Sequence, residues 1–381
     1  MSINKTAIKI QKLFKPFINR ISVNIEDRIR YSLLLKKLLN IQNNKNKCIK
    51  IYKIVDGNPI YRIGNNIILK KRIGSDSAHA IVFLSSFRIK PQKIFKYACK
   101  VVIINDKILK DLEIQKILTK AIVKCPHFPI LYGSLICDNN SYDSFVKSNS
   151  KDLSIKNDVE LYPEIIQKGK RENKSILITF NELANGDLEM FLKNPNIKNS
   201  EILNTLGQMF MSIMFYHQET KMIHDDLHWN NFLYHKIKKG GYFYYKILGK
   251  DYYLKNIGYL WIIWDYENSI PFEINEINKK RLDIFKDYYY SILYSFLPYK
   301  SKKSSYKLGW NKISHINNNE KINKIMQDIY KKIININVGY SIENLKIVIN
   351  IILNILLSYK ILLSKIPKKS KIINEIPYII H

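Results

Sequence analysis

From Gly57 onward the apolar positions of the chain gather into short β-type runs. "NIILKKRIG", "AIVFLSSF" and "FKYACKVVII" are each bounded by polar or turn-forming breaks, the pattern of a meander of antiparallel strands. The period then changes. "DKILKDLEIQKILTKAI" places Ile108, Leu112, Leu118 and Ile122 at helical spacing, so a single helix follows the third run. "CPHFPILYGSLI" reads as a turn and another strand. "SILITFNELANGDLEMFLK" reads as a strand, a polar turn with Gly186, and a helix that starts at or near Asp187. Beyond it the pattern is helical: "EILNTLGQMFMSIMFYHQ" is amphipathic, and residues 280–300 and 321–363 carry the same period. The expectation is an α+β chain, β-rich first and α-rich second.

The flanks are less regular. Residues 1–55 read as basic and helical, ending in the linker-like "NIQNNKNK", and 138–174 read as a polar surface insertion. The C-terminal run "LKIVINIILNILLSYKILLSK" is apolar enough to raise the question of a membrane span. Lys346, Asn350, Asn354 and Ser358 recur every fourth residue, however, and line one stripe of a helix, which favours a helix buried on its other side. The N-terminal alternation of lysine with apolar residues also fits a helix that touches a membrane, although packing on the chain's own domain is the more common use of that pattern.

Charge changes this picture little. The 62 basic and 32 acidic residues give +30, which ordinarily points to polyanions. The excess runs along the whole chain, alongside abundant Ile, Asn and Tyr, all with A/T-rich codons, so a dedicated nucleic-acid surface is not expected from charge alone. Cys48, Cys99, Cys125 and Cys137 show no CxxC or zinc-like spacing, which argues against a disulfide framework and for a reducing, intracellular and cytoplasmic setting.

Chemistry concentrates in "MIHDDLHWNNFLYH", Met222 to His235. A zinc reading uses His224 and His228, but Trp229 and the two asparagines that follow are poor helix material and no zinc-protease glutamate is present. A phosphotransfer reading asks for an Asp at a hydroxyl nucleophile, an Asn shortly after it for Mg2+, and a second carboxylate delivered by a strand. Asp226, Asn231 and Asp265, the last ending "YLWIIWD", supply them.

On these motifs the chain resembles the protein-kinase superfamily, whose catalytic loop reads HRDLKxxN and whose metal motif reads DFG. "YACKVV" is similar to the VAIK strand, "DLEIQKIL" to the helix that follows it, "HFPILYG" to the next turn and strand, and "FNELANGDL" to the hinge. The resemblance implies a bilobal α+β fold, with a basic extension over 1–55, an N-lobe over 56–185, a C-lobe over 186–339 and a helical segment over 340–381. It also implies ATP and Mg2+ as cofactors. Lys100 would hold the phosphates and pair with Glu113; Asn231 and Asp265 would hold the metal; Asp226 would take the acceptor hydroxyl. Gly74, Ser75, Ser77, Ala80 and Val82 would form the phosphate cradle, and Glu182, Leu183 and Asp187 the hinge contacts.

The departures matter as much. The cradle keeps Gly74 but lacks the second and third glycines. Asp225 stands where the family has an arginine that receives a phosphorylated activation loop, so control by such phosphorylation is not expected. His228 and "WDYE" make the loop similar to HGDLHxxN of aminoglycoside and choline phosphotransferases, and no APE motif follows, which leaves a small-molecule acceptor open beside a protein one. Asp283 and Asp287 are alternatives for the helix aspartate that braces the loop in the family. The whole resembles divergent kinase-like proteins of large DNA viruses with A/T-rich genomes, and the degraded cradle also leaves a non-catalytic interaction protein open.

Overall fold

The computed structural model describes residues 25–40, 48–55, 58–64, 67–73, 80–89, 93–137, 164–272, 284–296, 319–335 and 342–381. The chain is α+β, and its contacts divide it into two compact units, one drawn from 1–113 and 130–183, the other from 114–129 and 184–381. Residues 1–24, the linker-like 41–47 and most of the expected insertion, 138–163, lie outside the described residues.

The first unit is built on a seven-stranded antiparallel sheet. It comprises β1 (Ile49–Val55), β2 (Asn58–Ile63), β3 (Ile67–Ile73), β4 (Ala80–Ile89), β5 (Lys93–Ile103), β6 (Leu131–Cys137) and β7 (Ile176–Asn181) in the order β1-β2-β3-β4-β5-β7-β6. The meander expected from Gly57 onward is present, and it begins earlier, with β1 inside the stretch read as helical extension. Helix α1 (Ile25–Asn40) packs on β6, and the start of helix α2 (Asp106–Ala121) packs on the sheet through Ile108 and Leu112, which join Val102, Leu131 and Leu177 in a buried cluster. Within the expected insertion, Glu164–Arg171 form helix α3.

Cys48, just before β1, and Cys137, at the end of β6, form a disulfide with Cα atoms 5.4 Å apart. This corrects the expectation of unbridged cysteines: spacing in sequence carries no information about two edge strands that meet only in the fold. Laid flat, seven strands at about 4.8 Å spacing would hold their edges about 29 Å apart, so the sheet must curl to bring them together.

The second unit centres on helix α5 (Asn199–Thr220), buried along most of its length. Before it come β8 (Gly186–Asp187) and helix α4 (Leu188–Leu192), whose N-cap is Asp187, with its carboxylate accepting the Met190 N–H at 2.7 Å. After it come β9 (Met222–Ile223), β10 (Phe232–Lys236), the hairpin of β11 (Tyr242–Ile247) and β12 (Lys250–Lys255), β13 (Tyr259–Ile263) and β14 (Ile270–Pro271). Helices α6 (Phe285–Phe296), α7 (Glu320–Ile334) and α8 (Ile342–Ser358) and the short strand β15 (Tyr378–Ile380) complete it.

Helix α8 settles the question raised by its composition. Lys346, Asn350, Asn354 and Ser358 are exposed, while Leu345, Val348, Ile349, Ile352, Leu353 and Leu356 are buried. The burial of each such aliphatic side chain stabilises by about 1.5–3 kcal/mol, which accounts for the apolar run without a bilayer. No helix among the described residues is long and apolar enough to cross a membrane. The chain after α8 then lies along α5, so closely that a Cβ on Gly207 would come 2.6 Å from Ile361 Cγ2.

The disulfide closes a loop of 89 residues that contains the sheet meander. Under a chain-entropy account, replacing Cys48 and Cys137 by serine is expected to lower the unfolding free energy by about 2–4 kcal/mol. Denaturant unfolding of wild type with and without reductant, beside the double variant, checks this; a wild type insensitive to reductant refutes it.

Candidate active site

In the first unit Lys100 sits mid-strand on β5, opposite Val82 of β4 and Thr179 of β7. Its Nζ lies 3.5 Å from Asp111 Oδ2, and both side chains are buried. This partner differs from the one expected. Glu113, two residues farther along α2, is exposed. Two residues turn a helix by about 200°, so Asp111 and Glu113 cannot share a face. The signal was in the stripe already counted: Asp111 and Gln115 continue the i, i+3, i+4 spacing of Ile108, Leu112 and Leu118, and both are buried with it.

Ala80 and Val82 lie on the same face of β4 as Lys100 on β5, half-buried, with Ala80 against the Val102 cluster. Gly74, Ser75 and Ser77 lie outside the described residues. Glu182 was expected at a nucleotide hinge. Its carboxylate is instead gripped by Arg28 of α1, with Nε to Oε1 and Nη2 to Oε2 both at 2.7 Å, a buried two-point pair that holds α1 on the sheet. The Glu182 N–H is bonded to the Ile130 carbonyl, and Leu183 is half-buried beside it. Asp187 serves its helix cap, and burial, above the opposing hydrogen bond from Met190, raises its carboxyl above the usual range.

In the second unit two loops meet because two short antiparallel ladders frame them. Residues 224–231 lead from β9 to β10, and 264–269 lead from β13 to β14; β9 pairs with β14 and β10 with β13. Asn231 and Trp264 are therefore opposite one another, and the Trp264 N–H donates to the Asn231 carbonyl at 2.9 Å. Asp265 is the next residue. Asn231 Nδ2 donates to the Asp226 carbonyl at 2.8 Å, and Asn268 Nδ2 donates to Asp226 Oδ2 at 3.2 Å. Asp226, Asn231 and Asp265, separated by up to 39 positions, are thereby linked through one hydrogen-bonded pair of loops.

Asp287 on α6 fixes this pair from beneath. Fully buried, it accepts the His224 N–H at 2.7 Å, the Asp225 N–H at 3.0 Å and His217 Nε2–H at 2.7 Å. Burial pushes its carboxyl up, but the hydrogen bond and charge of His217, with His224, more than offset that and hold it below the usual carboxylate range. Of the two candidate bracing aspartates, Asp287 thus makes these bonds; Asp283 lies outside the described residues. The preceding residue, Lys286, forms an ion pair with the Asp225 side chain, so one turn of α6 holds Asp225 by both backbone and side chain.

Two residues of these loops take left-handed backbone, Asp225 at φ 62° and Asp265 at φ 69°. Aspartate tolerates that region better than most side chains, yet each such residue costs about 1–2 kcal/mol and persists only where its surroundings impose it. At Asp265 the constraint is Tyr266, buried, stacked on Tyr216 at 5.5 Å and edge-on to His224, with its hydroxyl donating to the Ile263 carbonyl at 2.7 Å.

The histidines are braces. His224 Nε2–H donates to the Trp264 carbonyl at 3.1 Å, and His228 Nδ1 accepts the Asn230 N–H at 3.2 Å, capping the turn Trp229–Asn231. Burial lowers the His228 pKa against the pull of Asp226 and Asp265, which matches a neutral ring whose Nδ1 accepts. Among the described residues no group of three or more His, Cys, Asp or Glu is placed to hold a metal ion. With Nδ2 committed to Asp226, the Asn231 amide has Oδ1 left as an acceptor, and Asp265 follows Trp264 on the facing loop. An amide oxygen and a carboxylate are the donor types that suit Mg2+, which keeps waters and takes one or two protein oxygens.

Asp287→Asn is expected to destabilise by about 3–5 kcal/mol, because it removes the charge from a buried, fully donated network. The sign with pH follows from the lowered carboxyl: its contribution is complete above about pH 4, the unfolded value, and is lost as pH falls through the lower folded one. The gap in melting temperature between wild type and variant should therefore narrow in acid, and a gap constant from pH 7 to pH 3 would show that the charge is not the cause. Compared with known proteins, the sequence matches no family model, and no curated protein matches it significantly.

Proposed function

We propose that the chain is an ATP- and Mg2+-dependent phosphotransferase that moves the γ-phosphoryl group to a hydroxyl, that of serine or threonine in a protein substrate. The observation that carries this reading is the linked loop pair: Asp226 and Asn231 on one loop, Asp265 on the other, joined by the Asn231 amide and the Trp264 N–H. A kinase-like fold belongs to the same proposal, supported by the order of antiparallel sheet, strand lysine, helix and helical second unit along the chain.

In this reading Asp226 orients the hydroxyl and accepts its proton as the new O–P bond forms and the β–γ bridging bond breaks, releasing ADP. Lys100, held by Asp111, binds phosphate oxygens. Asn231 and Asp265 would hold Mg2+, which would supply positive charge to neutralise that developing on the transferring phosphoryl group. The Lys286–Asp225 pair fills internally the place where a phosphorylated loop would otherwise be received, so activity should not require loop phosphorylation.

Transfer from γ-labelled ATP to a protein mixture and, separately, to a panel of amino alcohols tests the reading. Wild type should label a protein acceptor, Asp226→Asn should label it about 100-fold more slowly or worse, and Asp265→Asn should lose its response to Mg2+. Equal labelling by Asp226→Asn overturns the assigned chemistry. Turnover of an amino alcohol without any protein labelling would replace the protein acceptor with a small molecule.

A further inference from the structure

A basic chain hides local charge in its average. Residues 232–260 and 359–381 hold eleven lysines and only two acidic residues, Asp251 and Glu375, against 62 basic and 32 acidic in the whole chain. The two segments are one substructure. Strand β15 runs parallel beside β11, Tyr242 bridges to Ile372, Tyr253 bridges to Leu363, and the Tyr242 N–H donates to the Lys371 carbonyl. Every one of the eleven lysines is exposed, and none forms an ion pair among the described residues. Lys238 and Lys239 are set in a fixed loop, since Asn256 Nδ2 donates to the carbonyls of Lys238 and Gly240.

The same sheet carries rings on its outer face. Phe243, Tyr245, Tyr252 and Leu254 of the hairpin are buried, so the alternate positions face outward. There Tyr242 stands opposite Lys255, Tyr244 opposite Tyr253 and Lys246 opposite Asp251. Tyr242, Tyr244 and Tyr253 are half-exposed, and Tyr244 and Tyr253 stack on one another with ring centres 5.2 Å apart. Lys246 and Lys255 share the face of these rings, and the Tyr244 hydroxyl donates to Asp251 at 3.0 Å, which fixes its ring. Fixed rings beside unpaired lysines match unpaired bases on a phosphate backbone: stacking takes the base, the ammonium groups take the phosphates, and neither reads sequence.

We infer that the outer face of the β12-β11-β15 sheet binds single-stranded nucleic acid, independently of the phosphotransfer reading. The shared chemistry is an unpaired base stack on a polyanion, and separate RNA and DNA arms identify which is preferred. Because charge alone would attract any polyanion to this chain, the deciding variant changes no charge.

Fluorescence anisotropy with labelled single strands of mixed sequence, measured over a salt series, is the test. Tyr244→Thr/Tyr253→Thr, which keeps strand propensity, should weaken binding about tenfold or more, and Tyr244→Phe/Tyr253→Phe should not. Lys238→Glu/Lys239→Glu/Lys255→Glu should weaken binding further and flatten its salt dependence, while Lys321→Glu/Lys324→Glu/Lys331→Glu on α7 should change it much less. The inference is overturned if the threonine variant, with a wild-type melt, binds like wild type, if the α7 set matters as much, or if anionic-lipid vesicles are bound and oligonucleotides are not. Should the threonine variant melt early, Tyr244→Val/Tyr253→Val, also uncharged and strand-forming, takes its place with the same expected loss and the same refuting outcome.

Discussion

The candidate chemistry depends on one buried carboxylate. Asp287 sits where water cannot reach it, and a buried charge is tolerated only when donors surround it. Three do: His217 from α5 and the consecutive N–H groups of His224 and Asp225. Without that acceptor both N–H groups would be stranded in the interior at the point where the chain leaves β9. The loop's shape is therefore imposed from α6 and α5. That is why Asp225 can be held at φ 62° and why Asp226 emerges in a defined place.

How much of this was legible follows from which signals are local. Strands β3, β4, β5 and β7, helix α2, the cap at Asp187 and the stripe on α8 are written in period and capping chemistry, which need only neighbours in sequence. The loop pair was legible too, because Asp226, Asn231 and Asp265 stand in two short polar stretches whose residue types and spacing can be read without the fold. The hairpin of β11 and β12 was harder to see. Its two-residue turn, Leu248 and Gly249, has positive φ at both positions, as a twisted hairpin requires, but leucine replaces the Asn or Asp that usually marks such a turn. Strand β1 was obscured by Lys50 and Lys53, since lysine occupies strand and helix surfaces alike.

Other features were not legible because their partners are distant. Arg28 and Glu182 are 154 residues apart, and Cys48 and Cys137 are joined across the two edges of a sheet. The error at Lys100 has a different origin. A motif learned from one helix register assigned Glu113, whereas the apolar stripe of this helix assigns Asp111. Where a motif and a burial pattern disagree by two residues on a helix, the pattern is the stronger guide, since it expresses which face must leave water.

The chain's composition explains where its information lies. With lysine, isoleucine, tyrosine and asparagine abundant throughout, an exposed lysine or a buried isoleucine distinguishes few alternatives. Acidic residues are scarce, 32 in the chain, and those buried among the described residues are Asp111, Glu182 and Asp287. Each fixes a different joint. Asp111 ties α2 to the central strand through Lys100, Glu182 ties α1 to the sheet through Arg28, and Asp287 ties the candidate loop to two helices. A carboxylate is the most expensive group to bury, so its position survives a drift in composition only where partners hold it. The reverse holds at the β11–β12–β15 face, where acids are nearly missing and the local field departs from the average as far in the other direction. In a sequence biased toward one charge, the placement of the minority charge, buried or withheld, is the more informative signal.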